Sequence, residues 1–172
     1  MIVNGILIIV LLICIVTDLK ERKIYNKVIF PALLLAFLYQ AMTGGWNGLQ
    51  SAFFGFLVGL GVLLIPYLLG GMGAGDVKLL ALIGALKGTV FVLNTAIYMA
   101  LIGGIIALFI LLFRKGVIER IKGILYFLHA RRYGLKTPIL LNKEALTATY
   151  PYGLAIAGGA FVSLLAKGWI IL

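Results

Sequence analysis

The acid–base chemistry this sequence can offer rests on very few residues. Only five of its 172 are acidic: Asp18, Glu21, Asp76, Glu119 and Glu144. Asp18 closes the apolar run that ends CIVTD, and Asp76 follows a glycine run in GGMGAGDVKLLALIGAL. Two carboxylates held close cannot both ionise cheaply, so one keeps its proton where the other is charged, and they titrate as a pair. Such a pair can hydrolyse an amide. The ionised member takes a proton from water, and the protonated member polarises the carbonyl under attack. Each aspartate also has a plainer reading: Asp76 is of the type that caps helix N-termini, and Asp18 borders a charged loop where it would be solvated.

Gly73 and Gly75 fit the hydrolytic reading, because glycine reaches backbone angles closed to other residues and lets a substrate main chain approach. Other chemistries have little to draw on. The sole histidine, His129, and the sole cysteine, Cys14, make a protein-built zinc site or a disulfide framework an unpromising reading. Cys14 lies inside an apolar run and reads as a small buried hydrophobe. No cofactor or metal is expected.

The elements that must position the two aspartates are membrane helices. Apolar residues make up 63% of the chain and charged residues 12%, against roughly 45–50% and 25% in soluble domains. Apolar runs at 2–17, 28–42, 49–69, 77–86, 89–113 and 149–172 predict an all-α polytopic membrane protein of about six helices, in one domain over 1–172. The first run lacks a basic leader and a small-residue cleavage pattern, so it reads as a retained helix. Glycines 55 and 59 form a small-xxx-small pair that lets another helix come close. TGGWNG at 43–48 reads as a turn.

Thirteen of the fifteen Lys and Arg residues fall in 18–27, at Lys78 and in 114–148, while Lys87 and Lys167 fall on the other side. The positive-inside rule puts the thirteen in the cytoplasm, and with them both aspartates, leaving both termini outside. The net charge of +10 is therefore explained by topology and implies no nucleic-acid partner. Segment 114–133 reads as a basic amphipathic helix among anionic lipid headgroups. Run 77–86 is short, rising only about 15 Å against a hydrocarbon core of about 30 Å. Either its helix continues past a snorkelling Lys87, or it starts below the cytoplasmic surface with Asp76 at membrane depth.

At these residues the sequence resembles the type IV prepilin peptidases, which with archaeal preflagellin peptidases form a group of membrane aspartic proteases carrying a Gly-x-Gly-Asp motif. The likeness rests on GAGD at 73–76 in its longer context, on TDLKERKIYNK at 17–27, and on TYPYGLAIAGGA at 149–160. The resemblance implies a peptidase that removes the short basic leader of prepilins or pseudopilins at the cytoplasmic face of the inner membrane. By carry-over Asp18 and Asp76 are its catalytic pair, Gly73 and Gly75 shape the motif, and Pro151 and Gly153 support it. Lys78 also matches, but it points away from Asp76 and is assigned no chemistry.

Family members that also methylate the new N-terminus often carry a cytoplasmic region with paired cysteines. This chain starts almost at the helix bearing Asp18, so cleavage without methylation is expected. A basic leader meets a basic face here, and anionic lipids or Glu21 are expected to offset the repulsion. Two alternatives stand beside this reading. One is an intramembrane protease of the presenilin type, against which the C-terminal PYG stands where those proteins carry Pro-Ala-Leu. The other is a non-catalytic transporter or assembly factor binding a proton or cation at Asp18 and Asp76.

Overall fold

The computed structural model describes residues 2–113 and 152–166. The amphipathic segment 114–133 and Pro151 lie outside them. The described residues are helical, without a strand: α1 (Ile2–Glu21), α2 (Asn26–Leu68), α3 (Ala74–Lys87), α4 (Thr89–Phe113) and α5 (Tyr152–Leu165). The chain divides into two compact units, Met1–Gly103 with Pro151–Leu172, and Gly104–Tyr150. The first holds everything described below. Of the second, only the last turns of α4 are described.

Three of these helices are long and apolar enough to cross a membrane, over Val3–Glu21, Asn26–Leu68 and Thr89–Phe109. The second of them corresponds to two of the expected runs. Its single non-helical residue is Gly45, at φ 54 and ψ −135, and there the chain folds back on itself. A Cβ on Gly48 would fall on the carbonyl oxygen of Gln40, although eight residues of straight helix would separate the two by about 12 Å. Likewise the rings of Phe37 and Phe56 lie 6.2 Å apart, where a straight helix would put about 28 Å between them. The expected turn at 43–48 is thus compressed into one glycine, and the helical arms run up to it from both sides.

The core of the first unit is α3. From Val77 to Leu86 every residue but Lys78 is buried, as expected for a helix that is apolar all round. Gly84 of α3 and Gly55 of α2 make the burial geometric: a Cβ on Gly55 would strike the Gly84 carbonyl oxygen, and one on Gly84 would strike that of Gly55. At Gly59 an added Cβ would lie 2.5 Å from the Leu80 oxygen. The small-xxx-small pair in the second arm of α2 therefore seats α3, with backbone against backbone.

At fourteen residues, α3 rises about 21 Å. It does not continue past Lys87, because Gly88 takes φ 85 and α4 begins at Thr89. Its C-terminal end is held by polar contacts. The Lys87 ammonium donates to Asn4 Oδ1 at 2.6 Å, and Gln40 Nε2 donates to the Leu86 carbonyl at 3.1 Å, satisfying an acceptor that a helix end leaves open. Since Asn4 lies in the first turn of α1 and Lys87 ends α3, the two helices run antiparallel. That arrangement brings the end of α1 to the start of α3.

Helix α5 packs along α4 through its own small residues. Gly159 sits where a Cβ would come 2.7 Å from both the Thr95 oxygen and the Met99 nitrogen. Beside it the buried hydroxyls of Thr95 and Ser163 pair at 3.3 Å, as buried polar groups must.

Candidate active site

Asp18 and Asp76 meet across one cavity. Asp18 lies one turn before the end of α1 rather than at its last residue, since the helix runs on to Glu21. Asp76 lies in the first turn of α3, three residues past the N-cap Gly73. Both are buried, at 7% and 8% exposure, in a chain that leaves many large apolar side chains exposed. Both line a cavity of about 350 Å³, walled by the α1–α2 connection on one side and by residues 73–76 on the other. Cys14, one helical turn before Asp18, is buried, as its apolar setting suggested.

Each carboxylate is oriented by backbone amides. Gly153, in the first turn of α5, donates its N–H to Asp18 Oδ2 at 3.0 Å, and the Leu154 amide faces the same group. The first amides of a helix have no partner within it, and a carboxylate is a natural acceptor for them. Asp76 Oδ2 accepts the Gly73 N–H at 3.2 Å, while the Asp76 N–H donates to the Gly73 carbonyl at 3.1 Å. This is the carboxylate half of a capping box. The plainer reading of Asp76 as a capping residue thus holds in part, from the third helical position rather than the cap itself, and it leaves the carboxylate on the cavity.

The glycines of the motif are placed otherwise than backbone freedom suggests. Neither adopts a positive φ: Gly73 has φ −81, and among the described residues the positive-φ glycines are Gly45, Gly70 and Gly88. What excludes a side chain at Gly75 is proximity, since a Cβ there would lie 2.8 Å from Cβ of Ile24 and 3.4 Å from its carbonyl oxygen. At Gly73 the added atom would meet Asp76 Oδ2 at 3.3 Å. Gly75 therefore seats the α1–α2 connection, and Gly70, at φ 75, makes the turn after α2. Gly153 is excluded by the site itself: its Cβ would stand 2.7 Å from Asp18 Oδ2.

The connection is four residues long. It leaves α1 through Arg22, whose φ of 52 ends the helix, with the Arg22 N–H donating to the Asp18 carbonyl at 2.9 Å. On its outer side the Tyr25 hydroxyl donates to the Glu21 carboxylate. That hydrogen bond raises the Tyr25 pKa above its ordinary value and keeps the hydroxyl a donor. Ile24 is the site residue that sequence reasoning does not single out. No chemical type marks Ile24, and only its contact with Gly75 reveals it.

Of the residues singled out from sequence, Asp18, Gly73, Gly75, Asp76 and Gly153 come together here, while Pro151 lies outside the described residues. Residues 5–108 match the type IV leader peptidase family, and no curated protein or solved structure matches the chain. The matched stretch is more than half of the 172 residues and contains both aspartates with the glycines of GAGD. The chain belongs to the type IV leader peptidase family.

Proposed function

We propose that this protein is a membrane aspartic endopeptidase that removes the leader of prepilin- or pseudopilin-like precursors, with Asp18 and Asp76 as its catalytic pair. The observation that carries the reading is the presence of two buried carboxylates from different helices on one water-accessible cavity. In such a pair the ionised carboxylate takes a proton from water as its oxygen bonds to the scissile carbonyl carbon. The protonated carboxyl donates to the carbonyl oxygen and stabilises the charge developing there. Collapse of the tetrahedral intermediate breaks the C–N bond, a proton passes to the leaving amine, and the two products carry a new carboxyl and a new amino terminus.

The Gly153 amide serves this chemistry by fixing one oxygen of Asp18, as the Gly73 amide does for Asp76. Held geometry of this kind lowers the barrier without reorganisation during the reaction. We read the cavity as lying at the cytoplasmic face, on the distribution of Lys and Arg, and the two arms of α2 as separate spans, which with α1, α3, α4 and the C-terminal run restores six. The chain acts as one domain over 1–172, in which Pro151 and Gly153 support the motif. Anionic headgroups accompany the basic cytoplasmic segments.

The test is leader cleavage of a co-expressed prepilin-like precursor, followed by gel mobility, for the wild type, Asp18→Asn and Asp76→Asn at matched membrane levels. Loss in both variants with the protein folded is the expected result. Full cleavage by either would remove that aspartate from the chemistry and favour proton or cation binding instead.

A further inference from the structure

Lys78 turns away from Asp76 along α3, and its ammonium ends on α2. There Nζ donates to Asn26 Oδ1 at 3.0 Å and stands 5.5 Å from the centre of the Phe30 ring. Asparagine is among the best N-cap residues, yet Asn26 sits one place past the cap. The cap is Tyr25, which makes no side-chain capping bond. The Asn26 side chain is spent on Lys78 instead. Two residues earlier Ile24 rests on Gly75, so the short stretch joining Asp18 to α2 is fastened to the helix of Asp76 at two successive points. The same stretch walls the cavity.

We propose that Lys78 is a positioning residue: through Asn26 and Phe30 it clamps the α1–α2 connection against α3 and so sets Asp18 opposite Asp76. The proposal rests on the peptidase reading above. The chemistry explains the residue types. A lysine reaches past the first turn of its own helix, its stem covers apolar surface, and its charge is favoured over an aromatic face. The amide oxygen of asparagine accepts the hydrogen bond without adding a third carboxylate to a site built on two.

The experiment measures precursor cleavage by the full chain in lipid nanodiscs for Lys78→Met, Asn26→Ala, the double variant and Lys78→Arg. A displaced dyad lowers kcat by roughly ten- to a hundredfold and leaves KM little changed. The double variant is expected to be no worse than either single one, because both remove one contact. Lys78→Arg, keeping a cation and a donor, regains most of the rate. Additive losses, a rise in KM alone, or equal damage from Lys78→Arg would overturn the proposal.

A second readout is independent of activity. In a Cys14→Ala background, Ile24→Cys is labelled by a soluble maleimide, with Lys78 intact and with Lys78→Met. Faster labelling in the Met variant supports the clamp, and equal rates overturn it. A wild-type chain that cleaves no precursor defeats the peptidase reading and the catalytic role of the clamp together, while the labelling rates still decide whether the clamp exists.

Discussion

Gly153 leaves no room for a side chain beside Asp18: a Cβ at that position would stand 2.7 Å from Oδ2 and 2.9 Å from Cγ of the carboxylate. The same residue donates the amide that orients it. Alanine there must push Asp18 off its amide or move α5, and either change separates the two carboxylates. Gly153→Ala is therefore expected to lower precursor cleavage by about a hundredfold in a chain that still inserts. Gly158→Ala, on the same helix, is the control. Its Cβ meets the far end of the Ile102 side chain at 3.1 Å, which can rotate away, and cleavage should be near normal.

Gly75 makes a parallel case with a built-in rescue. Its missing Cβ would come 2.8 Å from Cβ of Ile24, so Gly75→Ala displaces the connection that walls the cavity. Removing the opposing atom restores the space. Cleavage should fall at least tenfold in Gly75→Ala and recover in Gly75→Ala with Ile24→Gly, although Ile24→Gly alone gains nothing. If the double variant is as inactive as Gly75→Ala, the glycine serves the substrate main chain and not the connection.

This pair also shows how far the sequence could be read. The two aspartates were visible because acidic residues are scarce and each sits beside a long apolar run, and the helical class followed from composition. Close approach accounts for Gly75, but what approaches is the protein's own Ile24, and no periodicity or residue type announces a contact between positions 24 and 75. For the same reason the sequence assigns Lys78 no role: a spacing of two on a helix says only that it faces away from Asp76, and it leaves open what it faces. For the α2 hairpin the sequence predicts two helices with a six-residue turn. A single glycine at φ 54 suffices, since TGGWNG contains no proline to stop either arm.

The hairpin depends on that one residue. Gly45 combines a positive φ with ψ −135, a region where a Cβ is strained, while Gly44 meets nothing within 4 Å and has no such backbone. Gly45→Ala should cost about 1–3 kcal/mol, read as a lower unfolding midpoint in detergent. Gly44→Ala should leave the midpoint nearly unchanged. Equal effects at the two positions would mean that the reversal is not made by Gly45.

The strongest packing test lies where α2 and α3 touch. Gly55 and Gly84 face each other so closely that a Cβ on either falls on the carbonyl oxygen of the other, and no rotamer change can relieve a clash with backbone. Gly55→Ala and Gly84→Ala must each pry the helices apart, and overpacking of this sort costs typically about 1–3 kcal/mol. Once one methyl has opened the gap, the second meets less resistance, so the double variant should be destabilised by less than the sum of the singles. Gly61, on the same arm of α2, meets nothing within 4 Å. Gly61→Ala should stabilise the helix by about 0.5–1 kcal/mol, since alanine surrenders less backbone freedom than glycine on folding. Because α3 carries Asp76 at one end and Gly84 near the other, the loss at Gly84 should extend to cleavage: variants that lower the midpoint should also lose rate, although neither glycine comes near the cavity. Full activity in a destabilised Gly84→Ala would show that the first turn of α3 is held in place without the Gly55–Gly84 contact.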